Sequence, residues 1–221
     1  MLREGLEVPV ERASARGRWT EGLLLFIALP IAVAAVAPRL GFPVLFAVLA
    51  GCIWMLLRDP TFDRRALWRL PGRAVFVQIT VRALVLSGLL AAGVVLFPVQ
   101  AFELLRRQPH LWLLVVAFYP LFSVPPQEFV FRTFFLHRYG ALLGSNPARV
   151  LASALAFGLA HLCLWNELAV GLSTLGGLMF ASTYQRTRSL PAVVWEHALY
   201  GIALFTIGLG RYFVTGWAHP P

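Results

Sequence analysis

Apolar residues in this chain come in long runs separated by short polar intervals. The runs cover about residues 22 to 37, 40 to 57, 74 to 97, 111 to 124, 148 to 164, 168 to 184 and 191 to 209. Several reach the roughly 17 to 25 residues that a helix needs to cross a bilayer. Lipid offers no partner to backbone N–H and C=O groups, so such runs must satisfy themselves as helices. The lack of strict apolar–polar alternation argues against a barrel. The pattern predicts an all-α, polytopic integral membrane helical bundle with seven or eight transmembrane helical segments.

The count depends on residues 111 to 138, where Pro120, Pro125 and Pro126 interrupt an otherwise helical stretch. Proline starts a helix readily and breaks one internally. One broken crossing gives seven crossings, whereas a separate helix starting at Pro125 and Pro126 gives eight. With seven crossings and the N-terminus inside, thirteen arginines face the cytoplasm, against Arg39, Arg106, Arg107 and Arg211 outside. That bias marks cytoplasmic loops and favours seven.

Composition agrees: 59% of residues are hydrophobic and 13% charged, where a soluble domain carries about 25% charged residues. Residues 1–20 read as a polar cytoplasmic segment and 21–221 as a single membrane domain. The first apolar run lacks a small-residue cleavage site and reads as a retained helix, not a signal peptide. The net charge of +9 does not point to nucleic acid. The arginines gather near predicted membrane ends, as at Arg58, Arg64, Arg65, Arg69 and Arg73, which suits a surface facing lipid headgroups. Cys52 and Cys163 lie in apolar runs without a CxxC pair, so neither a disulfide framework nor a thiolate metal site is indicated.

Against this background the polar residues at membrane depth stand out. Glu128, His161 and His197 fall roughly 15, 20 and 9 Å in from the inner end of their segments at 1.5 Å per residue. Each costs about 2.5 to 3.5 kcal/mol on insertion scales, so each is a candidate functional residue. Arg132 follows Glu128 by one turn and can hold its carboxylate charged. Ala152, Ala156 and Ala160 form a small-residue row, as do Gly177 and Ala181, and both predict close helix approach. Plainer roles suit the remaining polar residues. Glu196 would pair with Arg186 or Arg188, Arg82 would snorkel to the interface, and His110, His137 and His219 would sit solvated at helix ends. Glu128 with Arg132 also reads as a purely structural ion pair.

Three stretches, "QEFVFR" (127–132), "FGLAH" (157–161) and "HALYG" (197–201), resemble the ordered motifs EExxxR, FxxxH and HxxxN of the CPBP family of intramembrane proteases. That family includes the type II CAAX prenyl endopeptidases and bacteriocin-processing proteins. The resemblance covers about residues 110–210. It implies hydrolysis of a peptide bond in a membrane-associated protein or peptide, with Glu128, His161, His197 and Arg132 as catalytic residues. It departs from the pattern twice: Gln127 stands where the first glutamate, the principal base, would be, and Gly201 where the asparagine would be. A carboxamide takes no proton from water at neutral pH. Neighbouring helix positions point about 100° apart, so Glu128 replaces Gln127 only if the helix turns or begins differently after Pro126. Tyr200 or Asn166 could supply the donor that Gly201 lacks.

The mechanism so implied has Glu128 and His161 deprotonating a water, His197 donating to the oxyanion and Arg132 fixing Glu128. No cofactor is required. A zinc site held by Glu128, His161 and His197 is the alternative within enzymes. An inactive relative serving as a membrane binding or scaffold protein is the alternative outside them. A small transporter would place charges at the same depth, but the two halves of the chain show no similarity. The resemblance and the all-arginine basic set point to a bacterial plasma-membrane protein with its site opening toward the cytoplasmic side.

Overall fold

The structure, a computed structural model, describes residues 15–96 and 101–214. They form eight helices: α1 (Ala15–Val36), α2 (Pro38–Arg58), α3 (Arg73–Leu96), the short α4 (Glu103–Arg107), α5 (Pro109–Tyr139), α6 (Asn146–Leu164), α7 (Glu167–Thr187) and α8 (Leu190–Ile207). A 3₁₀ turn, Leu209–Phe213, follows α8. All but α4 and α7 are long and apolar enough to cross a membrane. The less apolar α7 is 21 residues long and buries Ser173 and Thr183. The predicted all-α membrane bundle is therefore what the chain forms, with seven long helices among the described residues. His219, expected at a helix end, lies outside the described residues, as do residues 1–14 of the predicted polar segment.

The prolines do not break α5. Pro125 and Pro126 carry no N–H, so the carbonyls one turn earlier, at Leu121 and Phe122, lose their usual donors. The backbone accommodates this by widening into a π-helical turn at Tyr119–Ser123, and a second π-helical stretch follows at Phe129–Phe134. The helix thus runs through as one element of 31 residues, about 45 Å long at 1.5 Å per residue. It carries "QEFVFR" in its middle, with no new start after Pro126.

The helices that follow are capped by their own sequences. Ser145, Asn166 and Ser189 accept from the backbone N–H groups of Ala148, Ala169 and Ala192, opening α6, α7 and α8. α6 and α7 approach closely: a Cβ at Gly177 would sit 2.9 Å from Ala154 Cα, and one at Gly158 would overlap the Thr174 hydroxyl. Gly177 plays the part predicted for it. On α6 the touching positions are Ala154 and Gly158. The expected row differs, because Ala152, Ala156 and Ala160 turn toward the aromatic core. In that core Phe26 of α1 stands edge-on to Phe131, Phe135 and Tyr139 of α5, with centroids 5.7, 4.9 and 5.8 Å away.

At the C-terminal end of α5 two ion pairs tie it to the first two helices. Arg138 forks onto Glu21 at 2.8 and 2.7 Å, and His137 lies 2.9 Å from Asp59. His137 was expected to be solvated, yet it is only 22% exposed, because Asp59 at the end of α2 meets it. Burial pushes the Asp59 carboxyl up, but hydrogen bonds from Thr61 and His137 outweigh it and hold the group at about 2.

Candidate active site

Glu128 is fully buried, and its carboxylate is divided between two partners. Oε1 lies 2.6 Å from His197 Nδ1, and Oε2 lies 3.2 Å from Arg132 Nε, one turn along α5. Arg132 is equally buried. Its guanidinium sits over the rings of Phe157 at 4.3 Å and Phe180 at 5.3 Å and reaches the Gly177 carbonyl at 3.4 Å. Two aromatic faces thus replace the water an arginine would otherwise keep. The close α6–α7 approach at Gly177 helps to bring both rings and that carbonyl to one cation.

His197 connects this cluster to open space. Its ring stacks on Phe180 with centroids 4.6 Å apart and planes 18° apart, which fixes its tilt. Its Nε2 meets the Tyr119 hydroxyl at 3.0 Å. Beyond lies a cavity of about 470 Å³ whose polar wall includes Tyr119, Ser123, Gln127, His161, His197 and Tyr200. Apolar side chains of α1 and α2, such as Leu25 and Val44, line its far side. Glu128 and Arg132 are not on that wall; they stand behind His197.

His161 enters the same cavity from the end of α6. Its Nδ1 pairs with the Phe157 carbonyl at 2.8 Å. A carbonyl only accepts, so Nδ1 carries the proton and Nε2 keeps its lone pair. Phe157 separates the two imidazoles, with ring centroids 4.8 Å from His161 and 5.6 Å from His197. Gln127 donates through Nε2 to the Ser123 carbonyl at 2.8 Å and hydroxyl at 2.9 Å, leaving its own carbonyl oxygen uncommitted.

The structure pairs Glu128 with Arg132, as their spacing predicts, and groups the two histidines differently from what was expected. Glu128 touches His197 and Arg132, while His161 shares a cavity with His197 and Gln127. Because α5 runs unbroken past Pro126, Gln127 and not Glu128 faces the cavity. Tyr200 lines it; Asn166 does not, since its side chain caps α7 at Ala169 N. Glu196 is buried on another face of α8, where it pairs with Arg82, which also donates to Thr183 at 3.1 Å. Neither Arg186 nor Arg188 is its partner, and Arg82 turns inward to it, because a fully buried carboxylate requires a cation. The residue not singled out from sequence is Tyr119. Tyr119, Ser123 and Gln127 recur every four positions in an apolar helix, a polar stripe on one face that was there to be read.

The donor set does not fit zinc. Among the described residues no three His, Cys, Asp or Glu side chains converge to hold a metal ion. The Glu128 oxygens face His197 Nδ1 and Arg132, so the set Glu128, His161, His197 does not come together, and no step is derived through a metal.

Comparison with known families finds a match over these helices. The model of the family described as type II CAAX prenyl endopeptidase Rce1-like matches residues 109–203, the span from the start of α5 into α8. No curated protein and no solved structure matches the chain.

Proposed function

We propose that this chain, which matches the Rce1-like family model over residues 109–203, is a CPBP-type enzyme that hydrolyses a peptide bond of a membrane-associated protein or peptide, using water activated by His161. One observation carries the choice of base. His161 commits Nδ1–H to the Phe157 carbonyl and so turns an unprotonated Nε2 to the cavity, whereas the corresponding nitrogen of His197 is already engaged by Tyr119.

Water held by the free Gln127 carbonyl and by His161 Nε2 attacks the scissile carbonyl. A C–O bond forms, the water proton passes to Nε2, and the carbonyl π electrons move to oxygen. Collapse breaks the C–N bond, and His161 returns its proton to the leaving amine. Glu128 acts through His197: its carboxylate fixes the imidazole on the electrophilic side of the cavity, and Arg132 holds the other carboxylate oxygen. The apolar far wall accommodates a lipid-modified or hydrophobic peptide. Accordingly the assay compares a farnesylated C-terminal peptide with the unmodified peptide of the same sequence.

Wild-type protein in detergent or vesicles is expected to cleave one of these, and His161→Ala to lose about 100- to 10,000-fold, the usual scale for a general base. Chelator is expected to leave the rate unchanged. Cleavage that survives His161→Ala overturns this choice of base. Gln127 on the wall favours one other reading, since a carboxamide is no base: a binding protein of the same architecture. A wild-type protein that binds the peptide without cutting it, and cuts after Gln127→Glu, supports that reading instead.

A further inference from the structure

Gly201 follows His197 by one turn of α8, and the space left by its missing side chain is filled from another helix. A Cβ built at Gly201 would overlap Cε1, Cζ and Oη of Tyr119. Tyr119 therefore takes its position only because residue 201 is glycine. Its ring is held on other sides by Phe205, edge-on at 5.6 Å, and by His197, with centroids 6.0 Å apart at 77°. Tyr119, His197 and Gly201 all lie on the cavity wall, so the hydroxyl stands at the open end of a chain that runs from Arg132 through Glu128 and His197.

That placement gives the hydroxyl a chemistry that simple space-filling does not need. Glu128 accepts the His197 Nδ1–H, which leaves Nε2 to accept the Tyr119 O–H at rest. A phenol has an ordinary pKa of about 10 and donates more strongly than water. It suits an oxygen that is gaining negative charge in a water-poor site.

We infer that Tyr119, admitted by Gly201 and oriented by His197, is the hydrogen-bond donor to the oxyanion formed when the substrate carbonyl is attacked. This rests on the hydrolytic reading above. As charge develops on the carbonyl oxygen, the hydroxyl hydrogen turns about the Cζ–Oη bond from His197 to the substrate. No proton leaves Tyr119 and no covalent bond at it changes. The bonds made and broken remain those between water, the scissile carbon, the leaving nitrogen and His161.

The test is Tyr119→Phe, which keeps the ring in the Gly201 space and removes only the donor. Turnover is expected to fall about 100- to 1000-fold, as for the loss of one oxyanion donor. KM should stay close to wild type, because the hydroxyl bonds the substrate only in the transition state, and the unfolding temperature in detergent should fall only slightly, through loss of the one resting hydrogen bond to His197. A second pair of variants asks whether the donor or the plug matters. Tyr119→Ala with Gly201→Asn places a carboxamide in the vacated space and is expected to turn over at least about tenfold faster than Tyr119→Ala alone. Tyr119→Ala with Gly201→Ala fills space without a donor and is expected to recover nothing.

Turnover of Tyr119→Phe within about threefold of wild type, with His161→Ala inactive, overturns the assignment and leaves Tyr119 a plug. Equal recovery in the two double variants does the same. Loss of the hydrolytic reading has a different signature: the wild-type protein binds the peptide without cleaving it, so no turnover exists for a Tyr119 variant to lower.

Discussion

Glu196 and His197 are neighbours on α8, and two regions of the molecule meet back to back at that point. On one side Glu128 and Arg132 hold His197; on the other Arg82 and Thr183 hold Glu196. Both glutamates are fully buried and each is paired with an arginine. They differ in their further contacts. Arg132 comes from the same helix as Glu128 and is itself fully buried, so the pair is closed locally and Oε1 remains for an imidazole that faces the cavity. Arg82 comes from α3 and is 30% exposed, so its pair spans two helices and ends at Thr183, away from the cavity wall. Burial and pairing are common to both regions, and the additional partner distinguishes a carboxylate that reaches a cavity-lining imidazole from one that fastens helices together.

The sharpest way to break this comparison is to neutralise each acid in turn. Glu128→Gln takes the charge from both His197 and Arg132. Turnover of the folded protein is expected to fall about 10³- to 10⁴-fold, the scale seen when the carboxylate behind a catalytic imidazole is replaced by an amide. Stability is expected to fall by about 3 to 5 kcal/mol, because Arg132 is left buried and unpaired. Turnover normalised to folded protein and thermal unfolding in detergent measure the two effects separately. Turnover near the wild-type value would show that His197 does not need its carboxylate.

Glu196→Gln should act on stability alone, and less strongly. Arg82 is partly exposed and can relax toward the interface when its partner is gone, so the expected loss is about 1 to 2 kcal/mol, below that for breaking a sealed pair. Turnover is expected to stay within about threefold of wild type, since no interaction in the transition state is removed. A collapse of turnover as deep as that of Glu128→Gln would merge the two regions into one network.

How much of this was legible in the sequence follows from what hydropathy and spacing encode. The membrane bundle was legible, because apolar runs of spanning length leave the backbone no other solution. Glu128, Arg132, His161 and His197 were legible as polar residues at depth. Of their grouping, the Glu128–Arg132 pair was legible from its one-turn spacing; the rest was not, because it depends on the direction each side chain takes from its helix. Whether Gln127 or Glu128 faces the cavity turns on α5 continuing through Pro126, and the π-helical turns that allow it are not visible as a motif. The partner of Glu196 was missed for the same reason. Arg82 lies 114 residues away in sequence, and only the packing of α3 on α8 brings it in. Tyr119 was obscured by its apolar surroundings, although its spacing to Ser123 and Gln127 marked the face.

The finest test of the clamp is Thr183→Val. Thr183 is fully buried and accepts from Arg82 at 3.1 Å. Valine keeps the shape and removes the acceptor, so the expected cost is about 1 kcal/mol, read as a small fall in unfolding temperature with turnover unchanged. The value of the measurement lies in its background dependence. If Thr183 matters only because it helps Arg82 face Glu196, then Glu196→Gln has already released that guanidinium, and Thr183→Val should cost less in that variant than in the wild type. The two changes then couple in a double-mutant cycle by some fraction of the single effect. Strict additivity would mean that Thr183 stabilises α7 independently of the ion pair, and the clamp would reduce to Arg82 and Glu196 alone.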